Sequence, residues 1–186
     1  ALAQAPERSD VRVAYANVLA AAGRHDEALV ELGRVIEEVP DHGPARRAEI
    51  ALLVLTGRHG HARVRLNEAL SRFTRDRGLA LTQARLLSAT PDRRVRDGAL
   101  ALEVARRIRE QEDDFLARDT LAMALAESGR TGEAAEVQRT VLAEAERSGD
   151  EALARHMRAK LDAYLAGRAW TAPDPEELLA LGLPGA

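Results

Sequence analysis

A short motif recurs in this chain at a fixed spacing of 34 residues, and this repetition constrains the fold more than any other feature. Gly23-Arg24-His25 is followed at that distance by Gly57-Arg58-His59, and an alanine, Ala28 or Ala62, stands at the same place after each. An identical triple at a fixed distance indicates tandem structural units. Such units stack on one another, because a single unit cannot bury its apolar face alone.

Each unit has the pattern of two short antiparallel helices. Apolar residues recur at helical spacing from Val11 to Ala22, and again from Glu27 to Val39. Gly23 lies between the two runs, where glycine can adopt the left-handed conformation that ends a helix. The sequence therefore predicts an all-α fold of helix hairpins, and a content of only 3% aromatic residues with much Ala, Leu, Arg and Glu fits that class.

These positions resemble the pattern of the tetratricopeptide repeat family. In the first complete unit the matching residues are Tyr15, Ala16, Leu19, Gly23, Ala28, Leu32, Val35 and Pro40. The pattern weakens in the next unit, where Ile50 stands at a normally small position and Thr74 replaces the proline, and it returns in Leu121, Ala122, Leu125, Gly129, Ala134 and Val141. The resemblance implies a right-handed superhelical solenoid of antiparallel helix hairpins with a C-terminal capping helix. The later segments are also similar to the C-terminal repeats of bacterial multi-repeat proteins.

The repeat phase predicts seven segments. Pro6 falls one period before Pro40, so residues 1–8 are interpreted as the end of a preceding repeat, and the chain as the C-terminal part of a longer solenoid. The remaining segments are repeats at 9–42, 43–76, 77–114 and 115–148, a capping helix at 149–166, and a tail at 167–186 that contains one short helix.

The third repeat carries a short insertion, because the spacing between Gly57 and Gly129 exceeds two periods by four residues. We place it at residues 90–94, where Pro91 disfavours helix for the residue before it and Asp92 offers an acceptor to the amides that follow. The helices of this repeat are predicted at about 77–89 and 95–111, with the second starting near Arg94.

Composition and charge remove several classes of function. The chain has no cysteine, which excludes disulfides and thiolate metal sites. Its formal charge is −3, so it lacks the excess of basic residues expected of a protein that binds nucleic acid. No apolar run reaches the roughly 18 residues that a membrane helix needs. We expect a soluble protein, in the cytoplasm or the periplasm.

The sequence contains no recognisable catalytic or metal-binding constellation. His59-Gly60-His61 could contact a metal, but we interpret it as a solvated turn between helices. Carboxylate pairs such as Glu37-Glu38 lie on predicted exposed faces, where nothing would raise a pKa for acid catalysis. We therefore predict no enzyme activity, no cofactor and no metal.

A protein or peptide partner is the expected ligand. The resemblance implies that the first helices of successive repeats line a concave face. The residues predicted to face a partner there are Val13, Asn17, Arg47, Ala51, Asp119 and Met123.

The C-terminal part offers two further features. The helix at 151–165 places Leu153, Met157, Leu161 and Tyr164 on one stripe, and a face predicted to meet water holds Arg155, His156, Arg158, Lys160 and Asp162. After it come Trp170 and four leucines, Leu178, Leu179, Leu181 and Leu183, which either pack on the last repeat or bind a partner.

Two functions follow as alternatives. The first is a non-catalytic protein-interaction scaffold or assembly factor, either alone or as a subunit of a larger complex. The second is an accessory C-terminal domain of a larger enzyme or membrane protein.

Overall fold

A computed structural model describes residues 4–180, and the side chains of residues 8–180. Within that range the secondary structure consists of nine α-helices and one 3-10 turn. The helices are α1 (Gln4–Ala21), α2 (His25–Glu38), α3 (Gly43–Leu55), α4 (His59–Arg72), α5 (Arg77–Ala89), α6 (Gly98–Gln111), α7 (Phe115–Glu127), α8 (Thr131–Ser148) and α9 (Glu151–Leu165), and the turn is Pro175–Leu178. None of these helices is both long and apolar enough to cross a membrane.

The described residues form two compact units, 4–79 and 80–180. In the first unit α1 packs on α2 and α3, and α3 packs on α4. Its core is built from small and aliphatic side chains, including Ala16, Ala28, Leu32 and Val35, each at most 1% exposed. The small alanines allow the helices to approach closely, as the repeat pattern predicts.

The second unit pairs α6 with α7, α7 with α8, and α8 with α9. Its largest apolar cluster joins residues of α5, such as Leu81 and Leu87, to Leu121, Ala122 and Tyr164. Helix α7 lies at the centre, because every residue from 119 to 126 is buried. No stretch of α7 there is open to solvent.

Local signals fix most helix ends. The hairpin turns contain Gly23, Gly57 and Gly129 at φ of 76°, 73° and 83°, the left-handed region that glycine adopts without strain. Aspartates cap the starts of α7 and α9: Asp114 accepts from the amide of Ala117 at 2.8 Å, and Asp150 accepts from the amide of Leu153 at 2.9 Å.

Three local predictions need correction. Helix α6 begins at Gly98 instead of near Arg94, because Asp92 bonds Arg94 within a turn and Asp97 caps the helix through the amide of Leu100. At the N-terminus, the sequence predicts that Pro6 lies at the end of a preceding repeat. In the structure α1 already begins at Gln4, and Pro6 lies in the first turn of this helix, where a missing amide proton costs nothing. His59 is not a solvated turn residue, since it is 8% exposed at the start of α4.

Candidate functional site

The six residues predicted to face a partner are mostly buried. Asn17 is half-buried, and Arg47 is partly exposed with Nη1 2.7 Å from Asp76 Oδ2. The other four are at most 9% exposed, and these are Val13, Ala51, Asp119 and Met123. In α3 and α7 nearly every face is covered by neighbouring helices, so positions on these helices present little surface.

The C-terminal segment 171–180 covers part of the second unit. It runs antiparallel to α5, since Ala172 contacts the end of that helix and Ala180 its first turns. The amide of Ala172 donates to the carbonyl oxygen of Ala89 at 2.9 Å, and the amide of Ala180 donates to Thr82 Oγ1 at 3.0 Å. Between them Arg85 Nε donates to the carbonyl oxygen of Glu177 at 2.8 Å.

Of the tail leucines in the described range, Leu178 is fully buried and Leu179 is half-buried. Leu181 and Leu183 lie outside the described residues. In this structure the segment therefore packs on its own chain, which is one of the two alternatives that the sequence left open. Asp174 caps the short 3-10 turn through the amide of Glu176 at 3.0 Å.

A buried cluster of charged side chains lies beneath this segment. The ammonium of Lys160 on α9 is 2.9 Å from both carboxylate oxygens of Asp119 on α7 and 2.7 Å from Glu177 Oε1 of the segment. Arg85 on α5 adds a second cation, with Nη2 3.1 Å from Asp119 Oδ2. Lys160 is 0% exposed and Asp119 is 1% exposed, so these pairs are shielded from solvent.

Three donors converge on one oxygen of Glu177. Besides Lys160, the indole Nε1 of Trp170 donates to Oε1 at 2.9 Å, and His156 Nε2 lies 3.1 Å from it. The rings of Trp170 and His156 meet edge to face, with centroids 5.5 Å apart at 88°. The Lys160 ammonium also lies 6.0 Å from the Trp170 ring centroid, at the limit for a cation–π contact.

This environment keeps both carboxylates ionised. Burial alone would raise the pKa of Asp119, but the charges of Lys160 and Arg85 outweigh it and the net pKa is lowered. Burial likewise opposes ionisation of Glu177, while the hydrogen bond from His156 and the charge of Lys160 lower its pKa. Carboxylates of this kind are suited to ion pairing and not to proton donation near neutral pH.

Sequence reasoning missed this cluster because it assigned Lys160 to a solvent-exposed face of α9. The helical spacing holds the correct signal, since Lys160 lies three residues after Met157 and four before Tyr164, on the buried stripe. A charged residue within an apolar stripe requires a buried partner. That partner, Asp119, lies 41 residues earlier in the chain, so local pattern does not reveal it.

Comparison with known proteins agrees with the repeat pattern. Residues 1–53 match the tetratricopeptide repeat family model. The structure is similar to that of YrrB, described as a TPR protein with an unusual peptide-binding site, with a TM-score of 0.61 and 21% identity over 91% of this chain and 80% of YrrB. It is also similar to MamA of AMB-1, with a TM-score of 0.55 and 19% identity over 84% of this chain and 98% of MamA. No curated protein matches the chain. Residues 1–53 thus match the tetratricopeptide repeat family model, and the chain has the all-α helical-repeat fold of tetratricopeptide repeat proteins.

Proposed function

We propose that the chain binds a protein or peptide without catalysis, through the surface of the second unit that residues 171–180 cover. This tail-covered surface consists of Thr82, Arg85, Ala89, His156, Lys160 and Trp170. The observation that carries the proposal is that the terminal segment is already held there by hydrogen bonds that its main chain makes. Main-chain contacts do not depend on side-chain identity, so a peptide from another protein can make them too.

Two further points support a binding role. The polar groups of the surface are preorganised by buried ion pairs, which lowers the ordering cost of binding. The similar structure of YrrB is that of a protein described as having a peptide-binding site, and the two chains share a fold. The alternative role as an accessory domain of a larger enzyme or membrane protein would use the same surface on a partner within that assembly.

The test is selection of peptides from a random library on the whole chain, followed by affinity measurement on the selected sequences. Trp170 is the only tryptophan and belongs to the tail-covered surface, so its emission reports binding at that place. We expect micromolar peptides that shift Trp170 emission.

Arg47→Ala is the matched control, because Arg47 lies in the first unit and is among the residues that the family resemblance predicts to face a partner. It should leave the affinity within twofold of the wild type. The proposed surface would be contradicted if the library yielded no binding peptide. It would also be contradicted if Arg47→Ala lost binding and the peptides left Trp170 emission unchanged.

A further inference from the structure

Two adjacent residues of the C-terminal segment enter the tail-covered surface, and they differ in chemistry. The Glu177 carboxylate accepts from Lys160 and Trp170, and Leu178 is 0% exposed. Their neighbours behave differently, since Glu176 is exposed and Leu179 is half-buried. The surface therefore offers one position for a carboxylate and, next to it, one for an aliphatic side chain.

The charge balance beneath the segment determines what can occupy the first position. With Glu177 in place, the cations Arg85 and Lys160 face two carboxylates, Asp119 and Glu177. An occupant that covered the same surface without a carboxylate would bury both cations, now at most 5% exposed, against the single carboxylate of Asp119. Burying two cations against one carboxylate leaves an uncompensated positive charge, which is unfavourable, so an occupant that replaces Glu177 must also bring a carboxylate.

The segment buries only two apolar side chains, Ala172 and Leu178. It contains no α-helix, and the side chains of Thr171, Pro173, Asp174 and Glu176 are exposed. Segments with few buried apolar contacts open at a small fraction of the global unfolding free energy. Exchange of this segment for another peptide is therefore compatible with an intact helical unit.

We infer that Glu177-Leu178 is the chain's own occupant of a site for an acidic residue followed by leucine, and that a partner protein carrying a segment with this pair binds by displacing residues 171–180. This inference rests on the proposed function and specifies its partner and its regulation. The tethered segment competes at a high effective concentration, of the order of millimolar for a short linker. The intact chain consequently binds its partner more weakly than a chain whose segment has been loosened.

The probe is a labelled peptide with the sequence of residues 171–180, TAPDPEELLA, titrated onto full-length chains. Leu178→Ala loosens the chain's own segment by removing its buried anchor. We expect this variant to bind the peptide at least tenfold more tightly than the wild type. A peptide with Gln in place of the second Glu should bind at least tenfold more weakly, because Gln supplies no charge for Lys160.

A reversible lock provides the second test and requires no change at the anchor. The chain has no cysteine, so the double variant Thr82→Cys/Ala180→Cys introduces a single pair of cysteines. The two positions are close together, because the amide nitrogen of Ala180 is 3.0 Å from Thr82 Oγ1. Oxidation should abolish binding of the peptide, and reduction should restore it. Mass spectrometry of the oxidised chain confirms that the lock has closed.

The outcomes separate this inference from the proposed function. The inference is overturned if the Glu and Gln peptides bind equally. It is also overturned if Leu178→Ala does not bind the peptide although hydrogen exchange of its Ala172 and Ala180 amides shows that the segment is loosened. Library peptides that bind the oxidised, locked chain as well as the reduced one overturn it while leaving a peptide-binding function in place. Failure of every peptide to bind any form removes both.

Discussion

Both carboxylate oxygens of Asp119 lie 2.9 Å from the ammonium of Lys160, and neither side chain is more than 2% exposed. The pair connects α7 to α9, and each member has a second ionic partner: Asp119 contacts Arg85, and Lys160 contacts Glu177. Removing one member leaves a buried charge without compensation, whereas removing both does not.

Asp119→Asn should lower the free energy of unfolding by about 3 kcal/mol, because Arg85 would lose its carboxylate partner and Lys160 would keep only Glu177. The double variant Asp119→Leu/Lys160→Met should recover much of that loss. Urea denaturation monitored by circular dichroism measures both. Asp162→Asn is the control, since Asp162 lies on the exposed face of α9, and its effect should stay within about 0.5 kcal/mol. A small effect at Asp119 would mean that the pair contributes little to stability.

Tyr164→Phe should leave stability unchanged or slightly raise it. The Tyr164 side chain is 1% exposed, and its hydroxyl has no hydrogen-bond partner among the residues that the structure describes. Burial strongly raises the pKa of this hydroxyl, so it stays neutral and contributes no charge to the cluster. Removing a buried polar group that lacks a partner costs no stability. Thermal denaturation tests this, and a fall in the free energy of unfolding of more than about 1 kcal/mol would show that the hydroxyl does have a partner.

Acid should release the C-terminal segment. The pKa of Glu177 is lowered in the folded chain despite burial, because His156 and Lys160 donate to its carboxylate. Arg85 and Asp119, on the other helices facing this position, form an ion pair, and the pKa of Asp119 is also lowered, mainly by the charges of Lys160 and Arg85 acting against burial. The stabilisation from Glu177 is present above its unfolded pKa of about 4.3, and it is lost as pH falls through the lower folded value.

The measurement is the emission of Trp170 together with the unfolding free energy between pH 7 and pH 3. The wild type should lose stability below about pH 5, and Glu177→Gln should lose less over the same range because it lacks this ionisation. Parallel curves for the two proteins would show that Glu177 does not titrate with docking.

Substitution by alanine should have opposite effects on stability at two glycines, Gly98 at the start of α6 and Gly132 near the start of α8. A Cβ at Gly98 would lie 2.8 Å from main-chain atoms of Glu127 and Ser128, which cannot move without displacing the end of α7. Gly98→Ala should therefore cost about 1 to 3 kcal/mol. At Gly132 nothing lies within 4 Å, and Gly132→Ala should stabilise α8 by about 0.5 kcal/mol. Thermal denaturation distinguishes them, and equal effects would exclude the close approach at Gly98.

The sequence supports prediction of the hairpins because their determinants are local. Gly23 and Gly57 end helices through a backbone conformation that only glycine adopts easily, and both take that conformation. The start of α6 was predicted wrongly for a related reason. Asp92 and Asp97 are both competent helix caps, and only the folding of residues 92–97 into a turn decides in favour of Asp97.

The site could not be predicted in the same way, because its parts come from distant positions. Arg85, Asp119, Lys160 and Glu177 lie on three helices and the terminal segment. The spacing within α9 indicates that Lys160 is buried, but no local pattern shows which residues pair with it. The family register pointed to Asp119 as a partner contact, but it does not show that α9 and the segment cover this position.

Lys160 is the only lysine among 186 residues, and its ammonium is enclosed by two carboxylates and the sulfur of Met123, 3.7 Å away. A reagent that acylates side-chain amines can reach this nitrogen only after the terminal segment has departed. The rate at which the peptide containing this one side chain gains mass therefore counts departures of the segment, without any change to the sequence.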